Sequence, residues 1–147
     1  MGSILSALRR ERSSSSSSSS GGAEASSEPS RILVFHSAEQ WKQHLHSSKD
    51  TSKLMVIDFF ASWCGPCRYM EPILKGFSVK FTDVDFVQLD VDELSDVAQE
   101  FGVQAMPTFV LMQGGNEIDR MVGAKKDELE RKIEMNRSRH VGAKRTI

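Results

Sequence analysis

Residues 53–72 read KLMVIDFFASWCGPCRYMEP: an apolar run, a Cys-x-x-Cys pair and a helical pattern in immediate succession. The run KLMVIDFFA is apolar and β-branched almost throughout, which suits a central strand covered on both faces. Cys64 and Cys67, the two cysteines of the chain, follow directly at the carboxyl end of that strand. Beyond them, Met70, Ile73, Leu74 and Phe77 recur at helical spacing, so a helix is predicted, with a kink near Pro72.

The flanking sequence keeps the same alternation. RILVF (31–35) reads as a short strand, and SAEQWKQHLHSS (37–48) as a helix opened by a Ser37/Gln40 capping box, with Trp41, His44 and Leu45 at helical spacing. DFVQLDV (85–91) is the next strand, and ELSDVAQEF (93–101) places Leu94, Val97, Ala98 and Phe101 on one helical face before Gly102. PTFVLM and EIDRMVG read as strands joined by a Gly114-Gly115-Asn116 turn, and KKDELERKIEMNR (125–137) as a closing helix with Leu129 and Ile133 inward. The order βαβαβαββα predicts an α/β fold: a mixed sheet of about five strands, parallel at its centre and ending in an antiparallel hairpin, between about four helices. In such sheets functional groups collect beyond the carboxyl ends of the strands, which is where Cys64 falls.

The chain has 147 residues, enough for one domain with a real core. A formal charge of -1, with acids and bases interspersed, implies no basic face for nucleic acid and no acidic tail; no nucleic-acid partner is expected, and the net charge itself is uninformative about partners. The longest apolar run, LMVIDFFA, is far short of the roughly 20 residues of a membrane span. Residues 1–30 differ in kind: eight consecutive serines and almost nothing to bury predict a disordered extension. It begins MGSILSALRRER, where Gly2 and Ser6 fit an N-myristoylation signal; one acyl chain gives only weak, reversible membrane association. The competing reading is an Arg- and Ser-rich transit peptide, hence a mitochondrial location, which Glu11 and the few arginines weaken. The folded unit is placed at 31–137, with a flexible basic tail at 138–147.

The cysteine pair has three readings: metal ligand, structural staple or catalyst. A structural zinc site needs four ligands, and His36, His44, His46 and His140 lack zinc-finger spacing, so no metal is expected. A staple closing so small a loop gains little, and two cysteines with no signal-peptide core favour a reducing, cytoplasmic setting. Redox chemistry explains more. At a helix N-terminus the free N–H groups and the helix dipole stabilise a Cys64 thiolate as nucleophile, with Cys67, deeper by one turn, resolving the mixed disulfide. Gly65 and Pro66 keep the sulfurs within bonding reach and help set redox poise, and Trp63 reads as a surface contact for a partner.

Asp58 interrupts the apolar strand six residues before Cys64, where burying a carboxylate is costly unless it has a purpose. Desolvation raises its pKa towards working pH, so it is a candidate general base for Cys67. In AMPT, Pro107 precedes a strand and is expected to border an exposed backbone edge where substrate can lie.

DFFASWCGPCRYMEP, VDFVQLDVDE, AMPTFVLMQGG and VGAKKDEL together resemble the thioredoxins in order and spacing, from about Arg31 to Arg137, and the Ser-rich extension with its Met-Gly start looks like the plant h-type branch. The resemblance implies the thioredoxin fold and a mostly monomeric protein disulfide reductase acting on client proteins. It implies Cys64 as nucleophile, Cys67 as resolving cysteine and Asp58 as buried acid–base. It also implies a cis Pro107, with Met106 giving backbone contacts to substrate, and Trp63, Gly65, Pro66, Gly115 and Gly123 shaping the surface around the disulfide. No cofactor is implied on this chain; electrons come from an NADPH-dependent thioredoxin reductase or from glutathione and glutaredoxin. Two positions depart from many relatives: Phe60 stands in place of a tryptophan, and Gln88 in place of a lysine expected beside Asp58.

Overall fold

The computed structural model describes residues 29–145, with side chains described through Arg137. The extension and its candidate acylation site Gly2 lie outside the described residues. Along the chain run β1 (Ile32–Phe35), α1 (Ala38–Ser48), β2 (Leu54–Phe60), α2 (Gly65–Lys80), β3 (Val84–Asp90), α3 (Ser95–Glu100), β4 (Thr108–Gln113), β5 (Asn116–Val122) and α4 (Lys126–Arg145), the predicted order.

The sheet has five strands in the order β1-β3-β2-β4-β5. β1 and β2 pair parallel with β3, while β4 pairs antiparallel with β2 and β5 antiparallel with β4. β2 is thus central, and its apolar run is explained by layers on both faces. Leu54 and Val56 pack with Met70, Leu74 and Phe77 of α2 and with Leu129 and Ile133 of α4. Met55, Ile57 and Phe59 pack with Trp41 of α1 and with Val97 and Ala98 of α3. Asp58 follows the parity of Leu54 and Val56, which puts it on the α2 side of the sheet.

Local chemistry sets the element ends. Ser37 Oγ accepts the Gln40 N–H at 3.1 Å, capping α1. The hairpin turn is tighter than expected: Gly114 and Gly115, at φ 61° and 87°, form the two-residue loop, and Asn116 already pairs with Gln113 as the first residue of β5. α2 continues through Pro72, whose missing N–H leaves the Arg68 carbonyl without its usual helical donor. α4 also departs from expectation. It runs to Arg145, into the 138–147 segment read as a flexible tail; that segment has no proline, and Gly142 is its one strong helix breaker. Among the described residues, no helix is long and apolar enough to cross a membrane.

Candidate active site

The strand-to-helix junction after β2 presents the cysteine pair. Cys64 is the N-cap of α2 with extended backbone (φ -93°, ψ 116°), and its Sγ accepts the N–H of Cys67 at 3.1 Å. Gly65 and Pro66 occupy the first helical positions, where no intrahelical N–H partner is needed and proline fits. The two cysteines form a disulfide, with Cα atoms 5.3 Å apart. Cys67 is not the more buried of the two: Cys64 is 5% exposed and Cys67 8%. Both sulfurs sit in one small cluster with Ala61, against which Phe60, Val91 and Met106 pack, so Cys64 is covered as well.

The antiparallel pairing of β4 with β2 brings the start of β4 to the carboxyl end of β2, since Phe59 pairs with Thr108. This places Met106 and Pro107 beside the disulfide. The Met106–Pro107 peptide bond is cis, and the Met106 carbonyl oxygen lies 3.6 Å from Cys64 Sγ. The Pro107 carbonyl accepts the Gly123 N–H at 2.8 Å, and Gly123 has φ 108°, a conformation that favours glycine. Gly115, by contrast, belongs to the hairpin turn at the far end of β4. Trp63 is 65% exposed and its Nε1 donates to Asp92 Oδ2 at 2.9 Å. Asp92 was not identified from sequence, although its place just past the carboxyl end of β3 marks the same rim.

Behind the disulfide, Asp58 is 3% exposed. Gln88, directly opposite it on β3, donates from Nε2 to Asp58 Oδ2 at 3.0 Å, while Oδ1 is buried with no hydrogen-bond partner. Burial pushes the Asp58 pKa from 3.8 up to about 7; the Gln88 hydrogen bond opposes the rise and the charge of Glu71 adds to it. A cleft of about 250 Å³ lies alongside, with Cys67, Arg68, Glu71 and Gln88 in its walls. A wider, shallow hollow of about 720 Å³ lies along α1, where it is lined by Glu39, Lys42 and His46, and has no cysteine in its walls.

The histidines do not join the cysteines. His36 pairs with Glu93 at 3.0 Å on the exposed rim, and His44 stacks with Phe35 and Trp41. Among the described residues, no group of three or more histidine, cysteine or acidic side chains is arranged to hold a metal.

The Thioredoxin family model matches residues 32–135. The chain belongs to the thioredoxin family. It is 60% identical over 111 residues to Thioredoxin H2 of Arabidopsis thaliana, covering 76% of this chain and 84% of that protein. Thioredoxin H2-1 of Oryza sativa subsp. japonica is 53% identical over 109 residues, covering 74% and 79%. Among solved structures, the thioredoxin NaTrxh of Nicotiana alata superimposes with a TM-score of 0.73 at 64% identity, covering 76% of this chain and 96% of that one. A poplar thioredoxin h, PtTrxh4, gives a TM-score of 0.68 at 34% identity, covering 71% and 95%. This thioredoxin is therefore a thiol–disulfide oxidoreductase that reduces disulfides of client proteins through the Cys64/Cys67 dithiol and a mixed-disulfide intermediate. Thioredoxins need no bound cofactor for this exchange.

Proposed function

We propose that Cys64 is the attacking nucleophile, Cys67 the resolving thiol and Asp58 the base that prepares Cys67. The observation that carries this reading is the Cys67 N–H aimed at Cys64 Sγ from the first turn of α2, 3.1 Å away. A donor so placed, together with the positive end of the helix, stabilises a thiolate on Cys64 and not one on a residue further along the helix. The Cys64 thiolate attacks a client disulfide, forming the mixed disulfide and expelling one client thiolate. Asp58 then accepts the Cys67 proton, and the Cys67 thiolate attacks Cys64 Sγ. The Cys64–Cys67 disulfide forms as the second client thiolate leaves, so two electrons pass to the client.

Trp63, Met106, Pro107 and Gly123 frame the surface on which the client chain lies, and Gly65 and Pro66 hold the reacting turn. Recharging the disulfide requires two electrons and two protons, supplied by an NADPH-dependent thioredoxin reductase or by glutathione with glutaredoxin. We place the protein in the cytoplasm as a monomer, with weak endomembrane association through a myristoyl group on Gly2. Mass spectrometry of the native N-terminus reads that group directly.

Insulin disulfide reduction tests the chemistry. Cys64→Ser is expected to lose activity, and Cys67→Ser to accumulate a covalent client adduct on Cys64 that a strong reductant releases. Reduction that survives in Cys64→Ser would refute the assignment.

A further inference from the structure

Glu71 lies one helical turn beyond Cys67 on α2, and both residues line the same cleft of about 250 Å³. The cleft runs from exposed Arg68 and Glu71 to buried Cys67 and Gln88, and Gln88 is the residue that holds Asp58. Its volume is enough for several water molecules at about 30 Å³ each.

The surroundings of Asp58 offer few other charges. Its sheet neighbours are neutral Gln88 on β3 and apolar Phe109 on β4, with Met121 of β5 beyond Phe109. From α2 come Glu71 and Arg68, and the Arg68 guanidinium is engaged by the Ser62 carbonyl at 3.3 Å. The negative charge of Glu71 therefore adds to burial in holding the proton on Asp58.

We propose that Glu71 is a positioning residue for the resolving step: from the exposed end of the cleft whose inner wall holds Cys67 and the Asp58 partner Gln88, its carboxylate favours passage of the Cys67 proton to Asp58. This rests on the role given to Asp58 above. In that step the proton moves from Cys67 Sγ to Asp58, the Cys67–Cys64 bond forms, the Cys64–client bond breaks, and the departing client thiolate takes up a proton from Asp58 or from cleft water. A weaker base at Asp58 is ionised at lower pH but draws the thiol proton less strongly.

Two readouts test this on the full chain: titration of the Asp58 carboxyl by carbon NMR in the reduced protein, and the pH dependence of resolution of a preformed Cys64–glutathione mixed disulfide. In Glu71→Gln both midpoints are expected to move to lower pH by roughly a few tenths of a unit, the scale of a like charge partly screened by water. Glu71→Asp is expected to keep most of the wild-type behaviour, and Glu39→Gln, the same charge change on α1, to move neither midpoint. An unchanged Asp58 midpoint in Glu71→Gln, or an equal shift in Glu39→Gln, overturns the inference. If Asp58→Asn instead leaves the acidic limb of the resolution profile in place, it is the role of Asp58 that fails.

Discussion

Asp58 and Gln88 face each other across β2 and β3, and the neutral Gln88 amide donates to Asp58 Oδ2 at 3.0 Å. Asp58 Oδ1 is buried without a partner, so the carboxylate is only half satisfied. Burial consequently dominates, and the pKa rises from 3.8 to about 7. A single uncharged donor restrains that rise less than a cation at the same position does, because it adds no opposing charge.

Gln88→Lys is therefore expected to lower the Asp58 midpoint. With a cation beside it, the carboxylate is favoured, and the acidic limb of mixed-disulfide resolution moves to lower pH. Carbon NMR titration of the Asp58 carboxyl in both proteins is the check. Equal midpoints would show that the strand position opposite Asp58 does not govern its ionisation.

The same shift makes stability depend on pH. The folded-state value of about 7 lies above the ordinary 3.8, so between them the folded protein binds more protons than the unfolded chain. Stability contributed by protonated Asp58 is thus lost as pH rises towards about 7. At about 1.36 kcal/mol per pKa unit, the ceiling on this loss is about 4 kcal/mol. Asp58→Asn removes the ionisation while keeping an acceptor for Gln88. It is expected to be more stable than wild type by roughly 2–4 kcal/mol above about pH 8, with the gain largely gone at about pH 4. Urea unfolding of the oxidised proteins at the two pH values measures the difference.

Asp58→Asn is expected to carry a kinetic cost as well. Losing the proposed base should slow resolution of the Cys64 mixed disulfide by roughly 10- to 100-fold near neutral pH, at or below the low end of general-base effects. Initial attack by Cys64 on the client should change less. Stopped-flow measurement of the two steps separates them, and equal slowing of both would point to a general disturbance of the site.

What the sequence disclosed follows the range of the interactions involved. The strand β2 and its central position were legible because Leu54–Phe60 is apolar on both faces, and Asp58 stood out as the one charge within it. Cys64 at the helix start was legible because the contact that caps the helix there, the Cys67 N–H to Cys64 Sγ, spans only three residues. The partner of Trp63 was not, because Asp92 is 29 residues away and meets it only once β2 and β3 lie side by side. Glu71 was hidden for a related reason: an exposed acid on a helix has no sequence signal until the cleft beside it and the carboxylate behind Gln88 are seen together. The end of α4 was not legible because it depends on propensity across a polar segment that has no proline and whose one breaker, Gly142, does not end the helix.

The Trp63–Asp92 contact yields its own prediction. Asp92→Ala removes the acceptor that holds an exposed indole in place, so the ring proposed to meet the client gains rotamer freedom that binding must then remove. Because this hydrogen bond is exposed to water, it contributes only about 0.5–1.5 kcal/mol, which corresponds to roughly a 2- to 10-fold rise in KM with kcat largely spared. Asp92→Asn, which keeps an oxygen acceptor, is expected to recover much of the loss. A fall in kcat at unchanged KM would mean that Asp92 acts on the chemistry and not on client docking.

Gly76 offers a test of the scaffold away from the site. It lies inside α2 and is exposed, and a Cβ built there meets no other atom within 4 Å. Glycine in a helix interior forfeits about 0.5–1 kcal/mol relative to alanine, chiefly through the freedom it retains in the unfolded chain. Gly76→Ala should accordingly raise Tm by roughly 2–6 °C for a folded unit of this size. Insulin reduction should be unchanged, since Gly76 sits three turns along the helix from Cys64 and on its solvent side. A stabilised but slower protein would indicate that α2 must flex about this residue when the disulfide opens, and would tie the helix body to catalysis in a way that the static contacts do not require.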